Sequence, residues 1–151
     1  MSEANPIRIF VTHVFSDHPD YNRVFEYLES ASNFFYKNCS NPSAVPVGAG
    51  KEAIKEALLV QIREAEIVIV ISSMYSENRD WITYQMDAAQ ATDIPIVALV
   101  PFGGTGRIPD EIKGRSAEIV EWNERSIVDA IRKQARHEDT KRWEVIEFDM
   151  S

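Results

Sequence analysis

Five consecutive β-branched residues, Ile67-Val68-Ile69-Val70-Ile71, set the strongest constraint on what this chain can fold into. An apolar run without alternation suits a strand covered on both faces, as at the centre of a parallel sheet, because a half-exposed strand would carry polar residues at every second position. Ser72, Ser73, Tyr75 and Ser76 follow, offering hydroxyls at the carboxyl end of that strand, where open α/β sheets bind ligands. The next helix opens near Trp81, with Asn78 or Asp80 placed to cap its first free N–H groups. On it Trp81, Gln85 and Ala88 share one face at i, i+4 and i+7, beside a stripe of Ile82, Met86 and Ala89. An uncharged amide thus lies beside an indole. On pattern alone, such an amide is a rim residue making ordinary hydrogen bonds.

The rest of the chain repeats the alternation. Arg8 to Thr12 is predicted as a first strand, followed by a polar loop, His13 to Asp20, at its carboxyl end. Tyr21 to Tyr36 has helical spacing at Val24, Phe25, Leu28, Ala31 and Phe35. Ala44 to Val47 is a weak edge-strand candidate within the Pro- and Gly-rich stretch Lys37 to Gly50. Lys51 to Glu64 reads as a helix with Ile54, Leu58 and Ile62 inward. Pro95 to Val100 is a second buried strand, Glu118 to Trp122 a last short one, and Asn123 caps a final helix, Glu124 to about Arg136. Strands alternating with helices imply right-handed crossovers and a parallel sheet with helices on both sides. The expected fold is α/β and flavodoxin-like, three layers around a mainly parallel five-stranded sheet. With 151 residues it is expected to be one domain, with a core from about residue 7 to 136 and a C-terminal extension, 137–151, whose Trp143, Val145, Ile146 and Phe148 dock on the body.

Charge narrows the function classes. Twenty-four acidic residues against 16 basic ones give a net charge of −8, which argues against nucleic acid or an anionic membrane surface as partner. Cys39 is the single cysteine, the first residues have no signal-peptide pattern, and no apolar run approaches the ~20 residues of a membrane span. A cytoplasmic location is expected.

Several motifs fail on detail. VGAGKEAI at Val47 to Ile54 lacks the upstream glycine and the Ser or Thr after lysine of a phosphate loop, and reads as a flexible helix entry. FGGTGRIP follows a strand but opens no helix of the dinucleotide-binding type. A phosphoreceiver needs acidic residues where this chain has His13-Val14 and Ser72-Ser73. His13, His18 and His137 have no metal-ligand spacing, and Cys39 has no activating partner in sequence. What remains is a crevice between the loop after the first strand (Phe10, Thr12, His13, Phe15, Ser16) and the segment with Ser73, Tyr75, Trp81 and Gln85. Its aromatics, hydroxyls and amide suit a nucleotide or sugar.

Those residues also carry a resemblance. RIFVTH, EAEIVIVISSMYSENRDWITYQMDAA, IPIVALVPFG and IVEWNERSIVDAIR, spread over roughly Ile7 to Arg132, resemble the TIR and TIR-like domains. Within that family the chain is similar to the short bacterial TIR-like proteins that include the sensor component of Thoeris antiphage defence. The resemblance implies a flavodoxin-like fold and an NAD+ nucleosidase or ADP-ribosyl cyclase acting at the nicotinamide glycosidic bond. NAD+ is then the substrate, with no further cofactor and no metal. The implied partners are a homo-oligomeric assembly and a downstream effector reached through a diffusible ADP-ribose-derived nucleotide.

The family's W-x-x-x-E helix motif lands on Trp81 and position 85, where this chain has glutamine. In family members that glutamate is catalytic. Loss of a cationic nicotinamide leaves an oxocarbenium-like ribosyl centre that a carboxylate stabilises, as glycosidase carboxylates do. An amide keeps the size but not the charge, so turnover falls by roughly 10² to 10⁴ while binding survives. By resemblance Gln85 marks the catalytic position, Trp81 a pocket wall, and Phe10, Thr12, His13, Ser16, Ser73 and Tyr75 the nucleotide contacts. Gln85 has two explanations: a glutamate replaced in an active enzyme, the favoured one, or a natural protein that binds without turnover. Two other readings are a non-catalytic TIR-like interaction and signalling module and, more weakly, a nucleoside deoxyribosyltransferase, which would need a carboxylate nucleophile.

Overall fold

Ile67–Ile71 is the middle strand, β3, of a five-stranded parallel sheet, and all five of its residues are buried. The computed structural model describes residues 2–103 and 107–138. β1 (Ile7–Val11) and β4 (Ile96–Leu99) flank β3, while β2 (Tyr36–Asn38) and β5 (Glu118–Val120) form the edges, giving the order β2-β1-β3-β4-β5. Ile9, Phe10 and Val11 pair with Ile67, Val68 and Ile69, and Val68 to Ile71 pair with Ile96 to Leu99. Burying each of the Val, Ile, Leu and Phe side chains among them contributes about 1.5–3 kcal/mol.

The helices are α1 (Pro19–Glu29), α2 (Lys51–Arg63), α3 (Arg79–Ala91), α4 (Asp110–Arg115) and α5 (Glu124–Arg136). α1 and α5 pack together on one side of the sheet; α2 and α3 pack on the other, with α4 tied to α3 through Arg115 and Asp87. Ile54, Leu58 and Ile62 of α2 are buried as expected, and the Asn123 side chain caps α5 by accepting from the Ser126 N–H at 3.0 Å. This is the flavodoxin-like arrangement. Because β1 connects outward to β2 but lies beside β3, the crevice above the carboxyl ends of β1 and β3 is the topological switch point, where such sheets bind ligands.

Four expectations change. The first helix ends at Glu29, capped by Ser30, instead of running to Tyr36, and Asn33, left-handed at φ 56°, lies in the turn that leads into β2. β2 is therefore Tyr36–Asn38, and Ala44 to Val47 is not a strand. Pro42 and Pro46, which lack the N–H a ladder needs, sit among short 3₁₀ turns there. α4 was not expected; its six residues are too few for a periodic signal. The Asn78 side chain donates to the Met74 carbonyl and does not cap α3, while Asp80 lies in the helix's first turn. The proposed docking of Trp143, Val145, Ile146 and Phe148 lies outside the described residues.

Candidate functional site

The Gln85 side chain, with 0% exposure, points from α3 to the His13 backbone just past the carboxyl end of β1, beneath the switch point. Its Oε1 accepts from the His13 N–H at 3.1 Å, and its Nε2 donates to the His13 carbonyl at 2.9 Å and to the Trp81 carbonyl at 3.0 Å. One amide thus satisfies both backbone groups of the first residue past Thr12, in the manner of a neighbouring strand. The partners fix its orientation, since a flipped amide would face donor to donor.

A second glutamine does the same one helix away. Gln61 of α2 accepts from the Asn41 N–H at 2.9 Å and donates to the Asn41 carbonyl at 3.0 Å, pinning the loop after β2. The His13 ring connects the two clamps. Its Nδ1 accepts from the Phe15 N–H at 3.3 Å, which leaves Nε2 as the protonated nitrogen donating to Gln61 Oε1 at 3.1 Å. Burial lowers the His13 pKa to about 4, against the opposing effect of the Gln61 bond. The imidazole is neutral at physiological pH and acts as a fixed crosslink.

The other sequence-derived candidates separate into two groups. Phe10 and Thr12 are fully buried: Phe10 lies 5.6 Å from the His13 ring within the core, and the Thr12 hydroxyl accepts from the Ile71 N–H at 3.0 Å. Phe15 meets Trp81 edge to face at 5.0 Å. Structure brings these residues together with His13 and Gln85. Ser16 and Ser73 are exposed at the rim, and Ser73 donates to Asp20 of α1 at 2.6 Å. The Tyr75 hydroxyl turns instead toward α4 and donates to Glu111, a bond that raises its pKa. Tyr75 is thus directed away from the His13–Gln85 pair.

Sequence reasoning missed Gln61, Asn41 and Asp20. Gln61 had a signal: it follows Leu58 by one helical turn on the apolar face of α2, as Gln85 follows Trp81 on α3. Asp20 had none. Its carboxylate reaches Ser73 only because β1 and β3 are adjacent, and it also pairs with Arg23, whose guanidinium stacks on Phe102 at 3.8 Å.

The family model for the TIR-like domain of the Thoeris protein ThsB matches residues 10–104, from β1 through the loop after β4. The chain belongs to the ThsB TIR-like family. It is therefore a TIR-type protein of Thoeris antiphage defence, and the matched span contains both glutamine clamps, His13, Phe15 and Trp81. No curated protein matches the chain. No described helix of this ThsB-type domain is long and apolar enough to cross a membrane.

Proposed function

We propose that this chain is an NAD+-directed TIR protein of Thoeris defence, whose switch-point crevice takes the dinucleotide at its nicotinamide ribose and whose Gln85 leaves binding without turnover. The observation that carries this reading is the place of Gln85, on the Trp81 helix against the loop of β1, where the family pattern puts a carboxylate. A carboxylate at the crevice base would stabilise the cationic ribosyl centre as nicotinamide leaves. The released ADP-ribosyl group would go to water or cyclise into a signalling nucleotide for an effector. A neutral amide supplies no such charge.

The hydrogen bonds favour glutamine as the chain's own residue over a replaced glutamate. An ionised carboxylate could accept from the His13 N–H, but it would also face the carbonyls of His13 and Trp81 with no proton to offer them. The same saturated amide supports a second reading, a non-catalytic TIR-like module that signals by self-association.

The deciding experiment measures nicotinamide release from NAD+ by the chain and by Gln85→Glu, with folding checked by circular dichroism and assembly by light scattering. Release by the folded Gln85→Glu protein, absent in the parent, supports the enzymatic lineage. A folded, assembled Gln85→Glu protein that leaves NAD+ intact, beside a parent that does not bind it, refutes that lineage and favours the module.

A further inference from the structure

Two cavities flank the ring pair of Phe15 and Trp81. One, of about 280 Å³, is lined by Phe15, Ser16, Asp17, Tyr21, Asn22, Pro42 and Ser43. The other, of about 340 Å³, is lined by Lys51, Lys55, Asp80, Trp81, Tyr84 and Asp87. Phe15 belongs to the first, Trp81 to the second, and their rings meet at 5.0 Å.

Phe15 has a φ of +69°, a left-handed conformation that bulky side chains rarely adopt and that persists only where the surroundings hold it. Its holders are few. The backbone N–H makes one long bond, 3.3 Å, to His13 Nδ1, and the half-buried ring rests edge-on against Trp81 and His13. Its neighbour His13 is, by contrast, clamped at both backbone groups. A strained residue thus follows closely on an immobilised one.

We propose that Phe15 is a removable partition: turned aside, it joins the two cavities into one trough for an elongated ligand with a planar ring and a phosphate, a nucleotide or dinucleotide. Trp81 and Tyr84, 6.5 Å apart and nearly perpendicular, offer apolar ring surface, and Lys51 and Lys55 set two ammonium groups for a phosphate beside Asp80 and Asp87. The Lys55 pairings are weak: its Nζ lies 4.0 Å from the exposed Glu52 carboxylate and 5.6 Å from the Tyr84 ring centre. Of the acidic residues there, Asp87 is already paired with Arg115. At the far end Ser16, Asn22 and Ser43 offer hydrogen bonds beside Asp17, whose carboxylate accepts from Asn22 Nδ2 at 2.7 Å and so sets that end for a neutral part of the ligand. This inference rests on the nucleotide reading of the crevice but adds a separable claim, that Phe15 controls entry.

The test uses the full chain labelled with 5-fluorotryptophan, its Trp81 ¹⁹F resonance assigned through Trp81→Phe, and calorimetric titrations with NAD+ and with AMP. In Phe15→Ala the Trp81 resonance should shift, and binding should tighten about tenfold if the open form is roughly a tenth of the resting population. Lys55→Ala in that background should weaken it several-fold. Should Phe15→Ala fail to fold, Phe15→Gly, which suits the positive φ, replaces it. An unmoved Trp81 resonance, or binding of both ligands no tighter than to the parent, overturns the partition. Tightening for AMP, with no NAD+ binding by parent or variant, upholds the partition and counts against the NAD+ reading above.

Discussion

Gln85 holds His13 at both ends of its peptide backbone, Oε1 to the N–H at 3.1 Å and Nε2 to the carbonyl at 2.9 Å, so the residue that would mark a catalytic carboxylate here shapes the loop above it. The first prediction follows directly from those two bonds.

Gln85→Glu should destabilise the fold in a pH-dependent way. Buried beside two carbonyls, the new carboxyl has its folded pKa raised above the ordinary value near ~4.3, so it is tolerated when protonated and becomes costly as pH rises. At neutral pH the loss should reach about 2–4 kcal/mol and should shrink toward about pH 4. Urea denaturation of parent and variant at several pH values measures it, and equal stability at pH 7.5 would remove the clamp argument.

Acid should weaken the parent through His13. Its folded pKa of about 4 lies below the unfolded value, so between the two the unfolded chain binds the extra proton. Stability from this group is full above about pH 6.5 and falls as pH drops toward 4, by about 3 kcal/mol in all. Nitrogen chemical shifts of the ring should report a neutral Nε2–H tautomer at pH 6, and a ring already protonated there contradicts the burial.

Gln61→Ala removes both Asn41 bonds and the acceptor of His13 Nε2. A loss of about 2–3 kcal/mol is expected, together with faster amide exchange at Asn41. Hydrogen exchange resolved by residue tests this, because a general destabilisation would not single out the loop after β2.

At the opposite end of the sheet, Arg136 grips Glu66 through Nε and Nη2 and also donates to the Pro6 carbonyl at 3.1 Å. Burial alone would raise the Glu66 pKa, but the Arg136 and Arg8 contacts outweigh it and hold the carboxyl below its usual value. The bridge therefore stabilises above about pH 4.5 and is lost as pH falls through the depressed folded value. Arg136→Ala should cost about 1–3 kcal/mol at pH 7 and progressively less in acid, as read from melting curves at pH 7 and pH 3.

The sheet was legible because Ile67–Ile71 and Ile96–Leu99 are apolar throughout, and such runs have few alternatives in a chain this size. β2 was not, since Lys37 and Asn38 are exposed edge residues whose strand state comes from pairing with Arg8 and Ile9. At the candidate site, the position of Gln85 on the Trp81 face could be read from helical spacing alone. What it bonds could not, because His13 is 72 residues away in sequence and meets it only through the β1–β3 adjacency. The expectation that Phe10 and Thr12 contact a ligand came from their nearness to the loop; burial of β1 on both faces and the Ile71 bond use both in the interior.

Gln61 and Gln85 act as borrowed peptide groups: each primary amide prolongs the pattern of main-chain pairing beyond the last residues of the sheet, using side chains from helices behind it. Amides carry no net charge and do not titrate in water, so this scaffolding is indifferent to ionic strength. The resting contour of the crevice should accordingly be the same in dilute buffer and in high salt, whatever the salt does to the ligand that enters it.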